Sequence, residues 1–177
     1  MPLTIQLPAQ ENQTAFNLRR WGELQWDRDL ARLPYTIETD RFGRIVMSPP
    51  PASDHTKRVA RTLRRLHEIF PRGEVLAETA ISTTDGVKVI DAAWLSPGRT
   101  QELDAGPCLL HAPEICIEVL SPSNSQLEIA EKRALYFEAG AAEVWICGLD
   151  GSMTFHLRPD VKQSDKSVLC PDFPPQI

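Results

Sequence analysis

Two stretches decide the fold: Val87-Lys-Val-Ile-Asp-Ala-Ala-Trp94 and Glu114-Ile-Cys-Ile-Glu-Val-Leu120. Both are short, apolar and rich in β-branched residues, which predicts buried strands. The second is almost continuously apolar, as central strands are. Each carries one acid in its middle, Asp91 and Glu118. An ionised carboxylate in an apolar interior costs several kcal/mol unless it is paired or binds a metal. If the two strands are neighbours, the acids converge on one point and form a hard oxygen site suited to Mg²⁺ or Mn²⁺. Plainer readings stand beside this one. Glu118 could pair with a buried arginine or face water at a strand end. Asp91 could end a strand or accept backbone N–H groups.

Working outward, residues 75–81 form a further strand ahead of the Asp91 strand, and residues 96–113 a long loop. Ser121-Pro-Ser-Asn-Ser125 caps a helix over about 126–139, with Ser121 and Ser123 as the capping hydroxyls and Gly140 as the stop. Val144 to Cys147 and Met153 to Leu157 follow as strands around an Asp150-Gly151 turn. Upstream, apolar spacing over residues 14–33 predicts an amphipathic helix or two short ones, with Thr14 as cap. Residues 35–47 read as a hairpin around Asp40 to Gly43, ended by Pro49, Pro50 and Pro51. Ser53 or Asp54 then caps a helix to about Phe70. The order predicts a mixed α/β domain with one central sheet flanked by helices. Residues 1–12 read as a loose arm, residues 13–177 as one domain, and the Pro-rich tail carries no pattern.

Composition sets limits. The chain has 177 residues and a net charge of −5. With pI near 5.4, it is not a protein that coats nucleic acid by bulk charge. No apolar run approaches the roughly 18 residues of a membrane span, and the first residues do not read as a secretory signal. Cys108, Cys116, Cys147 and Cys170 show neither C-x-x-C nor zinc spacing. They read as buried thiols in a reducing cytosol.

Lys132 lies on the helix after the Glu118 strand. Its spacing from Glu128 suggests a solvated i, i+4 pair. The other reading leans it over the strand ends to polarise water or steady developing charge.

Three segments are more specific: Ile117-Glu-Val-Leu-Ser-Pro-Ser123, Glu131-Lys-Arg-Ala-Leu-Tyr136 and Glu138-Ala-Gly-Ala-Ala-Glu-Val-Trp-Ile146. With Met47-Ser-Pro-Pro-Pro-Ala-Ser-Asp-His55 and Phe173-Pro174, they resemble the Uma-two family of restriction-endonuclease-like proteins, within the PD-(D/E)XK nuclease superfamily. The resemblance spans about residues 14–175. It implies a restriction-endonuclease-like fold and a Mg²⁺-dependent (or Mn²⁺-dependent) endonuclease that hydrolyses phosphodiesters with metal-activated water. Asp91 and Glu118 are then the acidic metal ligands, and the carbonyl of Val119 a third. Leu120 stands where the superfamily's strand lysine would be, and Lys132 matches the position to which related nucleases move it. Ile90 replaces the proline that usually precedes the aspartate. Glu78, His55 and Ser121 are implied as auxiliaries, and Tyr136 and Trp145 read as core aromatics.

Lys57, Arg58, Arg61, Arg64 and Arg65 cluster on one helix. They form either a solvated face or a stripe that tracks nucleic-acid phosphates, DNA above all. A cytoplasmic homodimer or higher homo-oligomer is expected by analogy, with no membrane partner. The alternatives are a catalytically weak or inactive nuclease-fold assembly module and, further off, hydrolysis of a smaller phosphate ester.

Overall fold

A computed structural model describes residues 12–104, 106–158 and 162–177. The expected N-terminal arm lies outside them, except for Asn12. Its side chain accepts the N–H of Ala15 and so caps α1 (Gln13–Gln25), in place of Thr14. The helical pattern to residue 33 resolves into α1 and a 3-10 turn over Leu30–Arg32. β1 (Thr36–Thr39) and β2 (Ile45–Ser48) form the expected hairpin as a separate two-stranded sheet.

The main sheet has six strands in sequence order. They are β3 (Glu74–Thr83), β4 (Gly86–Leu95), β5 (Ile115–Val119), β6 (Glu143–Cys147), β7 (Met153–Leu157) and β8 (Lys162–Ser164). Among the described strands only β5 and β6 pair in parallel, which requires the crossover connection that a helix between them supplies. That helix is α3 (Gln126–Glu138), on one face of the sheet; α2 (Ser53–Ile69) covers the other. Both central strands are buried along their whole length.

Two further capping assignments change. α2 starts after Ala52, which has no side chain able to cap, so neither Ser53 nor Asp54 fills that role. α3 is capped by Ser125 in a reciprocal box with Glu128, while Ser121 and Ser123 bond to each other and Ser121 to Asn124. The four cysteines are free and buried.

The tail is ordered by a buried carboxylate. Glu143 accepts from the Trp145 indole and the Ser167 hydroxyl, each at 2.7 Å, and from the N–H groups of Val168 and Leu169. Phe173 then packs on Trp145, with ring centroids 4.7 Å apart. Among the described residues no helix is long and apolar enough to cross a membrane.

Candidate active site

The site forms where β4 and β5 part. Their ladder runs through Trp94↔Ile115, Ala93↔Cys116 and Ala92↔Ile117 and then stops. The next pair in that register is Asp91 with Glu118. On the other side of β4, Ala77↔Ala92 and Thr79↔Ile90 are paired, but Glu78, opposite Asp91, is not. Glu78 has φ of +46°, a left-handed backbone that a glutamate adopts only under strain. One row across three adjacent strands therefore carries Glu78, Asp91 and Glu118, and both ladders are interrupted there.

Parted strands leave backbone groups that must find partners. Side chains supply them. Asp91 Oδ2 accepts the N–H of Val119 at 2.8 Å. Glu38, on β1, accepts the N–H of Val89 at 2.8 Å, and Thr39 Oγ1 accepts that of Val87. Lys132, from α3, donates to the carbonyl of Val89 at 3.3 Å.

Lys132 also ties two acids together. Its Nζ lies 2.8 Å from Glu38 Oε1 and 3.4 Å from Glu118 Oε2. The expected surface pair with Glu128 is overturned: Glu128 turns to the Ser125 cap, and Lys132 turns inward. Tyr136, one helical turn further on, donates to Glu118 Oε1 at 2.5 Å. It is a core aromatic, as expected, but its hydroxyl belongs to the site; Trp145 is wholly core.

Burial holds the Glu118 carboxyl far above the ordinary carboxylate range, at about 8, against the opposing charge of Lys132. Burial alone would pull Lys132 down, but Glu118 and Glu38 outweigh it and push the ammonium up.

His55, near the start of α2, places Nε2 3.3 Å from Asp91 Oδ2, and its buried Nδ1 has no partner among the described residues. These groups line a cleft of about 350 Å³, with Glu78 and Ser121 at its wall. The basic residues of α2 are set apart from it. Lys57 pairs with Asp54, and Arg64 and Arg65 pair with Glu68, while Arg58 and Arg61 have no ion pair among the described residues. One guanidinium nitrogen of Arg58 is buried and has no hydrogen-bond partner among the described residues.

Hard oxygen donors make the cleft chemically suited to Mg²⁺ or Mn²⁺. Asp91 keeps Oδ1 free of hydrogen bonds among the described residues, and the Glu118–Lys132 contact is long. Among those residues no three His, Cys, Asp or Glu side chains stand ready as a metal cage.

Two site residues escape the sequence reading. Glu38 is a lone acid in a short strand, which looks solvent-facing. Tyr136 had an available signal: it follows Lys132 by four positions and so shares its helix face.

The sheet, with helices on both faces, defines a nuclease-like mixed α/β fold. The chain belongs to the Uma2 family, described as "Putative restriction endonuclease", whose model matches residues 27–174. The fold is similar to a crystal structure of a putative nuclease belonging to DUF820 from Anabaena variabilis. The TM-score is 0.62 at 18% identity, over 72% of this chain and 74% of that one. No curated protein matches the chain.

Proposed function

We propose that this protein is a metal-dependent endonuclease that hydrolyses DNA phosphodiester bonds in the cleft between β4 and β5. The observation that carries the reading is the convergence of Asp91, Glu118 and Lys132 at the point where the two strands part. Asp91 and Glu118, with the carbonyl of Val119, would hold a Mg²⁺ or Mn²⁺. An ion of that class lowers the pKa of a bound water and neutralises charge on a phosphate. Lys132, charged and steered by Glu38, stabilises negative charge developing on the phosphate. His55 and the Val119 N–H both hold Asp91 Oδ2, leaving Oδ1 without a hydrogen bond among the described residues. Glu78 and Ser121 border the phosphate's approach. Arg58 and Arg61 supply sequence-independent affinity for the backbone.

The homodimer rests on Phe42, Val46 and Met47, exposed on the hairpin. Free buried thiols suit a reducing cytoplasm.

One observation favours a second reading, a catalytically weak assembly module. Both oxygens of Glu118 are already engaged, Oε1 by Tyr136 and Oε2 by Lys132, and burial raises its pKa to about 8, which weakens it as a metal ligand. Cleavage of supercoiled plasmid with Mg²⁺, Mn²⁺ or EDTA decides between them, with wild type beside Glu118→Ala. Metal-dependent cutting lost in the variant supports the nuclease. No cutting and no metal binding by calorimetry supports the module.

A further inference from the structure

The two oxygens of Glu118 are held unequally. Tyr136 donates to Oε1 at 2.5 Å, the length of a strong O–H···O bond to a carboxylate. Among the described residues Oε2 meets the Lys132 ammonium alone, at 3.4 Å. That ammonium has a nearer acid, Glu38 Oε1 at 2.8 Å, and a further acceptor in the Val89 carbonyl at 3.3 Å. Oε1 is therefore anchored, and Oε2 is the oxygen that can change partner. The two partners also lie on different sides. Lys132 lines the cleft with Asp91 and Glu118, whereas Tyr136 is not among the lining residues.

Tyr136 is fixed at both ring and backbone. Its side chain is fully buried among Ile81, Ile90, Cys116 and Val144. Its carbonyl accepts the N–H of Ala141 at 2.9 Å, which closes the end of α3. Lys132 lies one turn earlier on the same helix face, and the Ser125–Glu128 box fixes the helix start. One helix thus sets both donors. A buried phenol needs an acceptor, and the Val89 carbonyl, 3.5 Å away, is the alternative within reach. The hydroxyl takes the Glu118 carboxylate at much closer range, so its place is set by that acid and not by a general need for a partner.

We propose that Tyr136 is a positioning residue of the metal site: its hydroxyl holds Glu118 Oε1 on the core side and so presents Oε2 to Mg²⁺ or Mn²⁺. Lys132 yields Oε2 to the ion and keeps Glu38. This rests on the nuclease reading and deepens it. A carboxylate with two firm partners is a poor ligand, and one with none must be ordered when the ion arrives. One firm and one weak contact leave Glu118 oriented and available. Groups that orient a liganding carboxylate in this way are worth about 10- to 100-fold in metal affinity or activity.

The test is Mn²⁺ binding by calorimetry with the intact chain, beside plasmid cleavage at increasing Mg²⁺. Tyr136→Phe keeps the ring and removes the hydroxyl. Phe137→Leu, in the same core cluster, controls for a loss of packing alone. Tyr136→Phe is expected to bind Mn²⁺ roughly tenfold more weakly. The Mg²⁺ needed for half-maximal cutting should rise by the same factor, with most of the rate restored at saturating Mg²⁺. Phe137→Leu should keep both metal readings at wild-type values. A second measurement does not depend on the folding of Tyr136→Phe. In wild type isotopically labelled at tyrosine Cζ, Tyr35 and Tyr136 give the two signals, assigned with Tyr35→Phe, and Mg²⁺ should shift that of Tyr136.

Mn²⁺ binding by Tyr136→Phe equal to that of wild type overturns the proposal. So does an equal weakening in Phe137→Leu, or a Tyr136 signal that Mg²⁺ leaves unmoved. If wild type binds metal and cuts plasmid, the nuclease reading survives each of those results. A wild type that binds no metal overturns both.

Discussion

Asp91 accepts the backbone N–H of Val119 at 2.8 Å, across the point where their strands part. The carboxylate stands in for the ladder acceptor that β5 loses when β4 turns away. The same side chain therefore serves the fold and the site. Asp91→Asn keeps an oxygen for the Val119 N–H but removes the charge; Asp91→Ala removes both. We expect both variants to lose Mn²⁺ binding by calorimetry. Only Asp91→Ala should lose stability as well, by about 1–3 kcal/mol in urea. Equal stability of the two would show that the hydrogen bond is not needed to hold the end of β5.

Glu118 sets a pH dependence. The ordinary value is 4.5, and burial raises it in the folded protein to about 8. Between those values the folded chain binds a proton that the unfolded chain has released. The contribution to stability is full below about 4.5 and is lost as pH rises towards 8. In EDTA, urea midpoints of wild type should fall across that window, and Glu118→Gln should flatten the curve. Mg²⁺ binding near pH 7 should release a proton, read by calorimetry in buffers of different ionisation enthalpy. Parallel curves for wild type and variant would sink the assignment.

Lys132 is held by two acids, so removing it leaves Glu38 and Glu118 buried together without a cation. Lys132→Met should cost about 3 kcal/mol and abolish cleavage. Adding Glu38→Gln should return a good part of the stability but none of the activity. A double variant no more stable than the single one would mean that the Glu38 contact carries no energy.

Glu78 sits at φ +46°, where glycine rests without strain. Glu78→Gly should raise the unfolding free energy by about 1 kcal/mol and lower the cleavage rate. A gain in stability with unchanged cleavage would reduce Glu78 to a kink in β3.

Arg58 and Arg61 should dominate DNA retention over Arg64 and Arg65, because the latter two share Glu68. Arg58→Ala and Arg61→Ala should each lower the slope of log affinity against log salt by about one. Equal effects at all four positions would mean that the whole helix face is used.

Most of the fold was readable from local pattern. Strands β3 to β7 of the main sheet, the hairpin and the helices are declared by apolar period and by turn residues such as Asp150-Gly151, while β8 lies in the tail and is not. The tail was not readable, because its order comes from Glu143, a carboxylate 24 residues before Ser167 in sequence, and from Phe173 packing on Trp145. The caps of α1, α2 and α3 are misplaced for a related reason: several polar residues compete near each helix start, and local geometry chooses among them.

By itself the sequence determined that two apolar strands each carry an acid, that a lysine follows on the next helix, and that helices cover both faces of a mixed sheet. These follow from side-chain periodicity and the cost of burying charge, which are local properties of the chain. Tertiary structure alone decided that β4 leaves β5 just past Ala92 and that Lys132 turns inward. It also brought Glu38 into the site from a separate sheet. Those choices arise where backbone hydrogen bonds broken by the parting strands are completed by side chains distant in sequence, and no short-range pattern encodes such partners.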